Sequence, residues 1–155
     1  MEFKEIIKED FVIVGFSDAG KWTKDIAYPI PKLWEKAYLS FSNKNPKQII
    51  GVCLPPRSDH YFYTCGIEID AVLYSEIREG MTIHTFPLRN YVVFKHTGPA
   101  TTISNTYREL WDTFDKKGYT MKPGMPEIEI VDINMFGQEE SSGYEMEIWI
   151  PIETF

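Results

Sequence analysis

Two copies of a β-α-β-β unit inside one α+β domain are the architecture this sequence predicts, and three observations carry the prediction. Apolar and aromatic residues alternate at Tyr61, Tyr63, Cys65, Ile67 and Ile69, and again at Tyr144, Met146, Ile148, Ile150 and Ile152, the period of a strand with one buried face. Between the strand-like runs, two stretches change to spacings of three and four residues, the period of a helix. The units also repeat: Leu33-Trp34 recurs as Leu110-Trp111, 77 residues on, and the run from Tyr61 recurs from Tyr144, 83 residues on. At 155 residues the chain has room for one ordinary domain, or two small halves sharing a core.

The first module covers about residues 1–70. Phe11 to Phe16 is β-rich and closes on the turn residues Ser17, Asp18 and Gly20. Pro29 and Pro31 suit a helix entrance, and Ile30, Leu33, Trp34, Ala37, Tyr38 and Phe41 form its stripe up to Asn43 and Asn45. Gln48 to Leu54 is an apolar strand, Pro55 to Asp59 turns the chain, and the alternating strand from Tyr61 follows. Residues 71–90, with Gly80 and Pro87, join the modules. The second, about 91–155, repeats the order. Tyr91 to Lys95 is a strand, Gly98-Pro99 starts a helix whose stripe is Ile103, Tyr107, Leu110, Trp111 and Phe114, and Gly118 stops it. Glu127 to Asn134 is the next strand, Gly137 to Gly143 a polar connection, and Tyr144 opens the last strand.

Composition excludes several classes. With 43% hydrophobic and 25% charged residues the chain is globular rather than disordered. Its longest stretch without Asp, Glu, Lys or Arg, His96 to Tyr107, is too short and polar for a membrane span, and the N-terminus carries no signal pattern, so a cytoplasmic protein without membrane contact is expected. The net charge of -7 is local: residues 123–155 hold 8 acids and no base. Glu127, Glu129, Asp132, Glu139, Glu140, Glu145, Glu147 and Glu153 oppose a polyanion, so no direct nucleic-acid contact is expected there, and most of them read as a solvated face.

Cys53 and Cys65 read as buried small hydrophobes, and His60, His84 and His96 lack metal-ligand spacing, so neither metal nor cofactor is expected. Gly15 to Trp22 comes within one residue of GxxxxGK[ST], but Trp22 replaces the hydroxyl that would hold magnesium and Asp18 would repel phosphate; it reads as a loop. His96, before Thr97-Gly98-Pro99, reads as a strand-end or capping residue rather than a base.

The repeat also separates scaffold from site. In the final strand Glu145, Glu147 and Trp149 lie on the face opposite Tyr144, Met146, Ile148 and Ile150, where the first module has Phe62, Thr64 and Gly66. An open, solvated face would alternate in the same way. A Trp on a polar face two residues from an acid nevertheless suggests a pocket for a flat or lipophilic cation. Trp34 and Trp111 read first as core, but a pseudo-twofold relation between the modules could bring both indoles to one cleft, with Tyr38, Tyr63 and Tyr107 as further candidates.

Leu33-Trp34, the run Tyr91-Val92-Val93-Phe94-Lys95-His96-Thr97-Gly98-Pro99, Tyr107 to Trp111 and the ending Glu145-Met146-Glu147-Ile148-Trp149-Ile150-Pro151-Ile152 together resemble the gyrase-inhibitor-like (GyrI-like) small-molecule-binding domains, relatives of the effector-binding domains of AraC-type and MerR-type regulators. The resemblance implies an antiparallel curved sheet with two main helices and a cleft between the halves, walled by aromatics, with a last-strand acid for lipophilic cations. That acid falls on Glu147. The expected function is a stand-alone module binding lipophilic or aromatic cations through Glu147, Trp149, Trp34, Trp111, Tyr63, Tyr107 and Tyr38, with no room for a DNA-binding domain before the first strand. Two alternatives stay open. One is a hydrolase of small electrophiles in which Glu147 is base or nucleophile with Tyr63 or Tyr107; the other is a protein-interaction module of gyrase-inhibitor type with an unknown partner.

Overall fold

The eight strands of the computed structural model, which describes residues 1–22, 29–71 and 74–153, form one antiparallel sheet. In chain order the main elements are β1 (Phe3–Lys8), β2 (Phe11–Lys21), α1 (Pro29–Phe41), β3 (Gln48–Leu54), β4 (His60–Glu68), β5 (Met81–Phe86), β6 (Arg89–Thr97), α2 (Ile103–Lys116), β7 (Glu127–Asp132) and β8 (Glu145–Pro151). The sheet order is β1-β6-β8-β7-β3-β4-β2-β5. It reads alike from both ends: β7 and β3 meet at the centre, β8 and β4 flank them, then β6 and β2, then β1 and β5. The two β-α-β-β units are thus related by a pseudo-twofold between β7 and β3, as the repeat predicts.

This sheet cannot be flat. Only Glu9 and Asp10 join β1 to β2, and only Pro87 and Leu88 join β5 to β6, yet each connection links strands six places apart in the order. Six flat inter-strand spacings are about 29 Å, whereas three Cα steps reach about 11 Å. The sheet therefore curls until its edges approach, without closing. Phe11, Ile13, Ile50, Val52, Phe86, Tyr91, Val93, Ile128 and Ile130 are buried together on the face that bears neither helix, which a flat sheet could not achieve.

The helices cover the other face. Ile30, Leu33, Ala37 and Phe41 of α1 pack on Val14, Ile49, Cys65 and Ile67; Leu110 and Phe114 of α2 pack on Val92, Phe94, Ile148 and Ile150. His96 is fully buried and locks β6 to α2, one ring nitrogen 2.5 Å from Thr106 Oγ1 and the other 2.9 Å from the Gly98 carbonyl oxygen, the structural role expected of it.

Three local expectations are corrected. β2 does not stop at Ser17, Asp18 and Gly20 but runs to Lys21, because β4 pairs with it as far as Lys21↔His60 and the ladder outweighs the turn preference. Gly15 to Lys21 is accordingly strand, not loop. Two strands also lacked a sequence signal: β1, and β5 inside the stretch 71–90 expected only to join the modules. Both are edge strands with one partner each. No helix among the described residues is long and apolar enough to cross a membrane.

Candidate functional site

Between α1 and α2, over the central strands, lies a cleft of about 1070 Å³. The register fixes its floor. Residues directly opposite each other across an antiparallel ladder share a face, so Glu127, Cys53 and Tyr63 form one row across β7, β3 and β4, and Glu129, Gly51 and Cys65 form the next. Ile128 and Ile130, between and after the acids, point to the other face and are buried there. The acids of β7 are thereby turned under the helices rather than out to solvent.

Tyr63 connects the rows. Its hydroxyl donates to Glu129 Oε1 at 2.6 Å, reaching diagonally across β3, and only a glycine at 51 leaves it the space. A Cβ at Gly51 would collide with the Tyr63 hydroxyl and come within 2.7 Å of the Trp34 ring. Tyr107 of α2 is a second hydrogen-bond partner of Glu129. Burial raises the Glu129 carboxyl above its ordinary value, and the bonds from Tyr63 and Tyr107, which favour the charged form, offset part of that rise. Both phenols are pushed well above their usual range, first by burial and next by the charge of Glu129, so they remain donors.

Glu127 is in a different state. It is 7% exposed, and its Oε2 is buried with no hydrogen-bond partner among the described residues. Burial, and then the neighbouring Glu129, raise its carboxyl to about 8; a hydrogen bond with Cys53 and the charge of Arg57 act against the rise. Near neutral pH Glu127 is largely a neutral acid beside the hydrogen-bonded Glu129 side chain.

The walls are aromatic. Trp34 stands 6.3 Å from Tyr63 and 6.2 Å from Phe136, and Tyr38 stacks on Phe136 at 4.7 Å, all distances between ring centroids. Across the cleft, Tyr107 and Trp111 line the α2 side. The Arg57 guanidinium sits 4.3 Å from the Trp111 ring centroid and is held by Asp115 at 3.2 Å.

Of the residues expected from sequence, the structure brings Trp34, Tyr38, Tyr63, Tyr107 and Trp111 to this cleft and leaves Glu147 and Trp149 out of it. Glu147 lies opposite Lys95 and Ile130, and Trp149 opposite Val93 and Ile128, all on the face without helices. Glu147 lines a separate hollow of about 420 Å³ whose rim mixes Glu2, Lys4, Lys95, Asp132 and Glu145. Trp149 packs on Tyr91 at 5.4 Å. The cleft acids are instead Glu127 and Glu129, counted from sequence among a solvated face. Their signal was the alternation Glu127-Ile128-Glu129-Ile130 itself, with the acids on the covered side.

Comparison with known proteins agrees with the fold. Over 98% of its length the chain is 23% identical to the transcriptional regulator BrlR of Pseudomonas aeruginosa, 56% of which it covers, so it spans about half the length of that curated relative. Among solved structures it resembles SAV2435 bound to tetraphenylphosphonium, with 17% identity over 99% of this chain and 94% of that one, and a TM-score of 0.76. It also resembles the integron cassette protein VCH_CASS2 of Vibrio cholerae, with 19% identity over 97% of this chain and 95% of that one, and a TM-score of 0.67. These likenesses are of fold, and they agree with the resemblance to GyrI-like effector-binding domains. A family model described as Cass2, integron-associated effector binding protein, matches residues 6–152. The chain belongs to the Cass2 family of integron-associated effector-binding proteins.

Proposed function

We propose that the cleft binds lipophilic aromatic cations as effectors, with Glu129 as the charge partner, Tyr63 and Tyr107 fixing that carboxylate, and Trp34, Tyr38, Trp111 and Phe136 enclosing the apolar body. The observation that carries the reading is a hydrogen-bonded carboxylate beneath aromatic walls in a cleft large enough for a drug-sized molecule. Apolar burial supplies most of the affinity, and the carboxylate supplies the selection, because a neutral guest would cover Glu129 without pairing its charge. That the fold neighbour SAV2435 takes tetraphenylphosphonium supports the choice of guest.

Tryptophan fluorescence titration tests it. Tetraphenylphosphonium should quench saturably, and tetraphenylborate, of like shape and opposite charge, should not. Glu129→Gln should weaken the cation about 30-fold or more, the scale of truncating one partner of a buried charge pair. Equal affinity of wild type and variant for the cation would refute the reading.

Glu127 favours one other reading, turnover. A carboxyl that titrates near 8 in an apolar cleft is suited to proton transfer at neutral pH. Product formed from small esters or epoxides by wild type and not by Glu127→Gln would establish an enzyme; no product from either would leave the binding module.

A further inference from the structure

The floor of the cleft, on β7, holds two carboxyl groups where a single cation needs one. Glu127 and Glu129 are two residues apart on β7 and share a face, which sets their Cα atoms about 6.5 Å apart along the strand. Their surroundings are unequal. Glu129 has Tyr63 and Tyr107 as partners, whereas Glu127, more than nine-tenths buried and lining the same cleft, leaves Oε2 without one among the described residues. An unpartnered buried carboxyl oxygen is costly, and natural sites hold such groups where a ligand completes them.

The charge of the lining points the same way. Among the described residues, Glu35, Asp59, Glu127, Glu129 and Glu139 line the cleft against one base, Arg57, whose guanidinium is already engaged by Asp115 and the Trp111 ring. A monocation at Glu129 would leave the Glu127 carboxyl unused.

We propose that the preferred guests are aromatic dications whose two positive centres are separated by about the spacing of alternate residues on a strand, one centre at Glu129 and the other at Glu127. This rests on the cation reading of the cleft and goes beyond it, since that reading needs Glu129 alone. It also carries a proton balance. The groups facing Glu127 are Glu129 on its own strand, the Cys53 thiol on β3, Arg57 in the turn before β4 and the Tyr107 hydroxyl on α2. Burial first, and then the charge of Glu129, outweigh Cys53 and Arg57 and leave it protonated near neutral pH, so a second ammonium seated there drives the carboxyl O–H proton out to buffer as the ion pair forms.

The probes are 1,4-bis(trimethylammoniomethyl)benzene and (4-neopentylbenzyl)trimethylammonium, in which a carbon atom replaces one nitrogen and removes one charge at constant shape. Calorimetric titration of the whole chain at pH 7, in two buffers of different ionisation enthalpy, measures affinity and protons released together. The dication should bind about tenfold tighter than its monocationic isostere, one further ion pair's worth, and should release a proton that the monocation does not. Glu127→Gln, nearly isosteric and uncharged, should abolish both differences. Equal wild-type affinities for the two probes, or a dication advantage that survives Glu127→Gln, would overturn the inference. Glu129-dependent monocation binding without a dication advantage would overturn it alone; failure of both probes to bind, or binding indifferent to Glu129→Gln, would remove the cation reading as well.

Discussion

Replacing Glu127 with glutamine should leave the ligand-free protein about as stable as wild type in mild acid and make it markedly more stable in alkali. In the folded chain this carboxyl titrates near 8, displaced upward from 4.5 by burial and by Glu129. Below 4.5 both folded and unfolded chains carry the proton and the group adds no pH dependence. Between 4.5 and about 8 the unfolded chain ionises while the folded one holds its proton, so wild-type stability falls by about 1.4 kcal/mol per pH unit. Above 8 both forms are charged, and the accumulated cost levels off at no more than about 5 kcal/mol, a large part of a small domain's stability. Glutamine fills the same space and does not titrate. Urea unfolding of both proteins at pH 5, 7 and 9, with m-values checked for equality, isolates this group together with its coupling to Glu129, since titrations that do not sense Glu127 cancel in the difference. A gap between variant and wild type that grows with pH is expected. A gap independent of pH would refute the burial and charge assigned to Glu127.

Gly51→Ala should cost about 1–3 kcal/mol in urea unfolding and weaken tetraphenylphosphonium, because the added methyl displaces Tyr63 from Glu129 and crowds Trp34. Arg57→Gln removes a positive charge at the mouth and should tighten cations a few-fold at low salt, an advantage that 0.5 M salt erases, as befits a half-exposed group. Glu147→Gln should change neither cation affinity nor stability by more than about 0.5 kcal/mol, since the side chain lies on the other face of the sheet.

Both helices were legible because their stripes bury against a large core, and β3, β4, β7 and β8 because each is covered on at least one face. β1 and β5 were not. An edge strand has one partner and weak burial; Ile7 and Ile83 are exposed where an alternating pattern needs them inside. Within the site, the aromatic walls could be read because Trp34 and Trp111 recur at equivalent places in the repeat. The acid could not, and the reason is specific. Alternation in β8 separates Glu147 from Met146 but does not say on which side the helices lie, and a Trp beside an acid reads as a site on either side. The helices cover the Met146 side, so Trp149 belongs to the buried inner face of the curl and Glu147 to a mixed-charge hollow. Glu127 and Glu129 look like solvent-facing acids until β7 is known to lie at the centre of the sheet.

The outer strands are exchanged between the halves: β1 at the head of the chain completes the sheet of the second unit, and β5 completes that of the first. The second unit cannot finish its hydrogen-bonded ladder without the head of the chain, and the first needs the strand that precedes the second. Pairing Phe3 with Phe94 closes a loop over most of the chain, a contact of the long-range kind that slows folding and that forms once nearer contacts are in place. The molecule is therefore an interlock rather than two docked lobes. A break at Pro87-Leu88 would leave β1 on the other fragment from the sheet it completes, and refolding of the intact chain should recover both pseudo-symmetric halves, with the cleft between them, in a single cooperative step.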